Sequence, residues 1–190
     1  MSKVVFYTAT SLNGYIADEA NSLEWLFAVE PPDWQQYEEF FGAVGAMVEG
    51  STTYEWVLNF EGLLERPEKW TELYGSRRTF VFTSRDLPKP DGADVEFVSG
   101  NVADAFPVIA EAAGDRDIWV VGGGDLAGQF LDAGLLTELQ ISVAPVALTG
   151  GAPLFPRRLE SNRLTLRSVE KMGQFAHLIF DVAPAPAAEA

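Results

Sequence analysis

The residues best suited to chemistry in this chain lie where an apolar run gives way to glycine. Ile118-Trp119-Val120-Val121 leads into Gly122-Gly123-Gly124, and Asp125-Leu126-Ala127-Gly128 follow. A strand that turns through glycines into a helix lets backbone approach a ligand closely. The amides of the helix start then face an anion such as a pyrophosphate. A tight turn without a ligand is the alternative, but it needs fewer than three successive glycines. The spacing Gly122-x-Gly124-x-x-Ala127 also fits the dinucleotide fingerprint. That fingerprint normally follows the first strand of its fold, and Glu138 comes too early to be its acidic partner. The glycines therefore argue for a phosphate more than for that particular fold.

Two further turns have related chemistry. Val48-Glu49 runs into Gly50-Ser51-Thr52-Thr53, whose hydroxyls and amides either cap a helix or meet phosphate. Thr83-Ser84-Arg85 ends another apolar run. Ser84 and Arg85 suit a monophosphate such as an adenosine 2′-phosphate, or Arg85 is a solvated loop residue. Asp33, between Pro32 and Trp34, either caps a helix or presents a carboxyl to a pocket walled by Trp25, Phe27 and Trp34. Partial burial there raises its pKa toward proton donation. His177 sits among Phe175, Leu178 and Phe180 and reads as a strand side chain with no catalytic role, and Arg157-Arg158, after Phe155-Pro156, either meets a substrate phosphate or, by default, is a surface pair.

The elements that must hold these residues alternate in type. Strands are expected at 3–9, 43–48, 78–83, 95–98, 117–121 and 138–144, with helices between them near 33–41, 51–58, 67–74, 101–113 and 125–133. Pro107 places the start of the fourth helix late, so that proline falls in its first turn. Residues 164–170 and 174–182 form an antiparallel hairpin. This is an α/β pattern: a three-layer αβα sandwich on a mixed, mainly parallel sheet with antiparallel strands at its end. No linker divides it, so residues 1–182 are expected as a single domain and 183–190 as a flexible tail.

Composition narrows the function classes. The 190 residues include no cysteine and one histidine, which excludes a disulfide framework, a Cys-ligated metal, a thiol nucleophile and a multi-His metal site. No metal is expected. Residues 3–9 are too short and poorly flanked for a signal peptide, and no apolar run has membrane-spanning length. A soluble cytoplasmic protein is expected. The net charge of −15 disfavours nucleic acid and anionic membranes as partners. It is uneven: residues 1–75 hold 13 acids against 3 bases. A small anionic ligand must find its attraction in backbone amides or in the later part of the chain.

Taken in order, Ser11-Leu12-Asn13-Gly14-Tyr15-Ile16-Ala17, Gly50-Ser51-Thr52-Thr53-Tyr54-Glu55, Thr83-Ser84-Arg85, the run from Ile118 to Asp125 and Ala144-Pro145-Val146 through Gly150-Gly151 to Pro153-Leu154-Phe155 resemble the dihydrofolate reductase-like superfamily. The branch they resemble contains the reductase domain of the bifunctional riboflavin-biosynthesis deaminase–reductase. The resemblance covers residues 3–182. It implies NADPH as hydride donor to a small heterocycle, pterin-like or 5-amino-6-(5-phosphoribosylamino)uracil-like, and a homodimer. It places Ala9, Thr10 and Ile16 near the nicotinamide, residues 50–53 and 122–126 at the pyrophosphate, and Ser84 and Arg85 at the 2′-phosphate. Asn13, Trp25 and Phe155 fall on the substrate side, with Asp33 as the acid. The pattern departs from the family at Asn13, where an Asp is usual, and at Ser51, where an Arg is usual. Those departures motivate two rival expectations: a nucleotide-binding protein of this fold without turnover, and a flavin-binding or flavin-reducing protein.

Overall fold

Val44 to Glu49 are all buried, and no polar face interrupts the run. A strand of that kind must be covered on both sides, and it sets the plan of the molecule. The structure is a computed structural model and describes residues 2–31 and 34–184. In chain order it runs β1 (Val4–Thr10), β2 (Tyr15–Ala17), α1 (Glu24–Phe27), α2 (Gln35–Ala43), β3 (Val44–Gly50), α3 (Ser51–Glu61), α4 (Glu68–Tyr74) and β4 (Arg78–Phe82). It continues with β5 (Val95–Val98), α5 (Val102–Ala113), β6 (Asp117–Gly122), α6 (Gly124–Asp132), β7 (Glu138–Val143), β8 (Ala152–Pro153), β9 (Leu164–Met172) and β10 (Phe175–Val182).

The main sheet has eight strands in the order β5-β4-β3-β6-β1-β7-β10-β9. The pairings from β5 to β7 are parallel, and β10 and β9 add antiparallel strands. The mixed, mainly parallel sheet with a terminal hairpin is the arrangement the sequence implies.

Two apolar clusters cover the two faces. On one, Leu126, Ala127 and Phe130 of α6 and Val102 and Ile109 of α5 pack on Phe6, Val48, Phe80 and Val120. On the other, Tyr54 and Leu58 of α3 and Trp70 and Tyr74 of α4 pack on Val44, Met47 and Val81. The neighbouring parallel strands β3 and β6 therefore send their following helices to opposite faces. A crevice must open between them at the carboxyl ends, the usual ligand position in such sheets.

Two local expectations change. The helix over 101–113 starts at Val102, with Pro107 in its interior rather than its first turn. Asn101 caps it, its Oδ1 accepting the Asp104 amide at 2.9 Å. Ala103 and Pro107 lie on the exposed face, so the carbonyl that Pro107 leaves without a donor can face water. The Gly/Pro-rich stretch after β7 is not plain connection either. Ala152–Pro153 pairs with Tyr15 and Ala17 in a separate two-stranded sheet, which ties the first loop to the late one. The tail expected over 183–190 lies, from residue 185 on, outside the described residues.

Candidate functional site

The crevice between β3 and β6 is a cleft of about 590 Å³. Gly50 ends β3 and precedes α3; Gly123 follows β6 and precedes α6. Neither helix start carries a side-chain cap, so the first-turn amides of both have no side-chain acceptor. The cleft is lined by Gly50, Ser51, Thr52, Thr53 and by Gly122, Gly123, Gly124, Asp125, Leu126, with Ile16, Thr8, Trp56 and Gln129 around them.

The glycines differ in what they do. A Cβ on Gly50 would find nothing nearer than 3.7 Å, and one on Gly123 nothing nearer than the Ile16 methyl at 3.9 Å. Both have negative φ, so neither position needs glycine for left-handed backbone. A side chain there would fit the protein and would take its room from the cleft. Gly124 is different, because its Cβ would lie 2.3 Å from the Leu154 carbonyl oxygen. That glycine serves the packing of the late loop on α6. The Gly122–Gly123 peptide bond is cis.

Charged groups around the cleft are paired within the protein. The Asp125 carboxylate accepts from Gln129 at 3.0 Å and from Arg157 at 2.9 Å. The Gln129 hydrogen bond, helped by Arg157, holds its pKa below the ordinary value. What Asp125 offers an anion is its amide, not its side chain. Arg85 does not line the cleft. It is exposed, and its two terminal nitrogens meet the Glu55 carboxylate at 3.1 and 2.5 Å. Ser84 is exposed beside it.

Glu49, one residue before Gly50, is fully buried, and neither carboxylate oxygen has a hydrogen-bond partner among the described residues. Burial pushes its pKa up to about 8, although the Tyr74 hydroxyl is near enough to oppose this. Position 49 therefore carries a proton at neutral pH, behind the cleft and on the α4 side of the sheet.

A second cleft of about 460 Å³ lies across Thr8, which lines both. Its walls are aromatic: Tyr7, Phe27, Trp34, Tyr37, Trp119 and Phe175. Edge-to-face packing fixes several of these rings, with Trp119 against Tyr37 at 6.1 Å and against Phe40 at 5.4 Å between centroids. The polar floor comes from register. Ala9 of β1 pairs with Ser142 of β7, and Ser142 pairs with His177 of β10. Tyr7, two residues from Ala9, shares that face. Ser142 Oγ lies 2.9 Å from His177 Nδ1. Burial holds the Tyr7 phenol above its ordinary pKa, with the Ser142 hydrogen bond pulling partly back. Burial also pushes the His177 imidazole below its ordinary value, against the pull of Glu170.

The expected site residues separate accordingly. Residues 50–53, 122–126 and Ile16 come together at the first cleft, and Ala9 reaches the second. Thr10 lies in neither: it is buried, and its hydroxyl donates to the Tyr15 carbonyl at 3.1 Å. Asn13 clasps the loops, donating to the Leu148 carbonyl at 2.7 Å and accepting the Leu148 amide at 3.0 Å. Trp25 packs with Ala144, Met172 and Phe175, and Phe155 packs on the core 6.2 Å from Phe6. Residues 145–160 contribute to the first cleft rather than to the pocket beside Trp34. Asp33 lies outside the described residues. Sequence reasoning missed Tyr7, Thr8, Trp119 and Ser142, and it set His177 aside. Among the described residues no group of acids and His could hold a metal, and no helix is long and apolar enough to cross a membrane.

The molecule is an α/β protein with a mixed, mainly parallel sheet, a two-helix crevice at its switch point and an aromatic slot beside it. The sequence model of the RibD C-terminal domain matches residues 2–178, and the chain belongs to that family. It is 30% identical over 178 residues to the uncharacterized protein YwjB of Bacillus subtilis (strain 168), covering 93% of this chain and 95% of that one. The crystal structure of a putative riboflavin biosynthesis protein from Shewanella sp. PV-4 is 28% identical, with a TM-score of 0.74 over 96% of this chain and 99% of that one. A deaminase/5-amino-6-(5-phosphoribosylamino)uracil reductase of Thermotoga maritima shares the fold at 17% identity and a TM-score of 0.66, and this chain matches 57% of its length.

Proposed function

We propose that the protein is an NADPH-dependent reductase of a small heterocycle. The observation that carries this reading is the pair Gly50 and Gly123. Each sits at the start of an uncapped helix, and each leaves open a volume that its own fold would let a Cβ fill. Such a cradle suits a pyrophosphate held by amides, which meets the requirement of an acidic protein with few free cations. The family supports the same reading.

In this reading NADPH supplies the hydride when bound. The amides of residues 51–53 and 124–126 would hold its phosphates, and Thr8, which lines both clefts, joins that site to the second cleft. The aromatic walls of that cleft orient a flat substrate and keep water away from it. Two groups are candidates to give the reduced atom its proton. One is Asp33. The other is the Tyr7 hydroxyl, which burial keeps protonated and which Ser142, steadied by His177, can resupply. The homodimer belongs to this reading too: β9 is a sheet edge with Leu166 and Val169 exposed. A monomer in sedimentation at micromolar concentration would remove it.

A second reading, nucleotide binding without turnover, is favoured by one observation. The cation expected at the 2′-phosphate, Arg85, is engaged by Glu55. Assay of NADPH oxidation against pterin, dihydrofolate and aminouracil ribitol-phosphate substrates separates the two. Oxidation that depends on one of them supports the reductase; bound cofactor with no oxidation across the set supports the alternative.

A further inference from the structure

The second cleft is unusual in what it lacks. No Lys, Arg, Asp or Glu is among the described residues that line it; Asp33, which the reductase reading places here, lies outside them, and an acid there would also turn a phosphate away. One guanidinium packs behind the cleft wall: Arg77 lies 3.7 Å over the Phe41 ring, which stacks on Tyr37. Its nitrogens are given to backbone: Nε to the Val44 carbonyl at 3.0 Å, Nη1 to Tyr74 at 3.2 Å and Nη2 to Phe41 at 2.7 Å. Each of its three nitrogens thus holds a backbone carbonyl, and turning the group toward a ligand would open the α2–β3 junction. Lys171 pairs with Ala176 while Met172 and Phe175, which do line the cleft, pair with each other. Alternation along the strand therefore puts Lys171 on the opposite face of the hairpin. Behind Ser142, His177 is buried and its burial favours the neutral form, while Glu170, paired with it across the hairpin, pulls the other way.

What remains is a slot of rings with hydroxyls at one edge. Tyr7, Thr8 and Ser142 supply hydroxyl groups, and a hydroxyl both donates and accepts. Such an edge matches the ring nitrogens and carbonyls of a neutral heterocycle in either tautomer. It does not match a phosphate, which needs fixed positive charge or a row of free amides once it is taken from water. The surrounding field adds to this, since the chain carries a net charge of −15.

We infer that the second cleft binds a flat, uncharged heteroaromatic ring that carries no phosphate. The ring is clasped between the aromatic walls with its polar edge on Tyr7 and Ser142. The inference rests on the proposed reductase reading for its place in a reaction, and it narrows that reading. Of the two substrate classes considered, it keeps the pterin-like ring and rejects the phosphoribosyl-bearing uracil.

Lumiflavin, riboflavin and riboflavin 5′-phosphate make a matched set: one ring, then a neutral polyol tail, then the same tail with phosphate. Pterin is added as a smaller neutral ring. Binding of each is measured by calorimetry on the wild-type protein and on Trp34→Ala, an exposed position whose loss should leave the fold intact. Only the affinity that Trp34→Ala weakens is assigned to the second cleft; loss of the stacked ring should weaken it roughly tenfold. The expected result is Trp34-dependent binding of at least one phosphate-free probe, and Trp34-dependent affinity for riboflavin 5′-phosphate at least about tenfold below riboflavin. Equal or tighter Trp34-dependent binding of the phosphate form overturns the inference. So does the absence of Trp34-dependent binding by every neutral ring. A parallel NADP⁺ titration keeps the two readings apart. Failure of NADP⁺ to bind removes the cofactor reading and leaves the ring result standing, and the reverse pattern removes only the present inference.

Discussion

The Arg85 guanidinium is held at two points by the Glu55 carboxylate, Nη1 to Oε1 at 3.1 Å and Nη2 to Oε2 at 2.5 Å. The two side chains are 30 residues apart in sequence and both are substantially exposed. An exposed pair of this kind adds little to stability. In the proposed reading its consequence is functional: the cation expected at the 2′-phosphate starts out neutralised. Glu55→Gln should free Arg85 and raise affinity for NADP⁺ several-fold while leaving NAD⁺ unchanged. Arg85→Ala in the wild-type background should cost NADP⁺ less than the same change made with Glu55→Gln. Calorimetric titration of both nucleotides against the four proteins checks this. Equal nucleotide affinities in all four would mean that Arg85 does not meet the 2′-phosphate.

The glycines at the cleft should part company on substitution. Gly50→Ala should lower folding stability by no more than about 1 kcal/mol, the gap between glycine and alanine at a helix N-cap, because the added methyl meets nothing nearer than 3.7 Å. It should nonetheless weaken NADP⁺ by about tenfold or more, since each lost 1.4 kcal/mol of contact is tenfold. Gly124→Ala should do the opposite first. Its methyl would fall 2.3 Å from the Leu154 carbonyl oxygen, and overpacking of that kind costs about 1–3 kcal/mol. Chemical denaturation beside nucleotide titration separates the two effects.

These two predictions mark how far the sequence was legible. Gly50 and residues 122–126 were readable because strand–glycine–helix chemistry is local: neighbours in the chain stay neighbours in the cleft. Ile16 was expected there only through the family resemblance. The alternation of apolar strands and helices gave the sheet and its terminal hairpin for the same reason. Arg85 was not readable, because its partner sits on another element and only the fold brings Glu55 to it. Trp25 and Phe155 were placed on the substrate side, yet both pack in apolar clusters. An aromatic residue type does not say which face it turns to. Ser142 and His177 carried no signal at all. Their 2.9 Å contact exists only once β7 and β10 pair in register.

Glu49 should give stability an unusual pH dependence. Its folded-state pKa is raised to about 8 from an ordinary 4.5. Between those values the folded state binds the extra proton, so stability falls as pH rises. The contribution is complete below the ordinary carboxylate value and is lost by about pH 8. Glu49→Gln keeps the shape without the titration. The difference in unfolding free energy between variant and wild type should therefore grow in the variant's favour from pH 5 to pH 8. Denaturant unfolding at a series of pH values measures it. A difference that does not change with pH would show that Glu49 is not titrating in that window.

Two groups compete to supply the proton, and substitutions can rank them. Tyr7→Phe removes the hydroxyl while keeping the ring that packs on Phe40 and Trp119. If Tyr7 is the donor, kcat should fall by about a hundredfold, the low end for general acid catalysis, with NADP⁺ affinity unchanged. His177→Ala should then give a smaller loss by unsteadying Ser142. If Asp33 is the donor, Asp33→Asn should carry the larger loss and Tyr7→Phe should move kcat little. Steady-state rates over a pH series for the three variants decide between them.

The most direct test of the account is whether the crevice between Gly50 and Gly123 holds a dinucleotide. Calorimetric titration of the purified protein with NADP⁺ should show saturable binding with one site per chain at submillimolar concentration. That binding should weaken in Gly50→Ala and in Gly123→Ala while both variants remain folded. Absence of saturable binding at millimolar NADP⁺, or binding that ignores both substitutions, would contradict it.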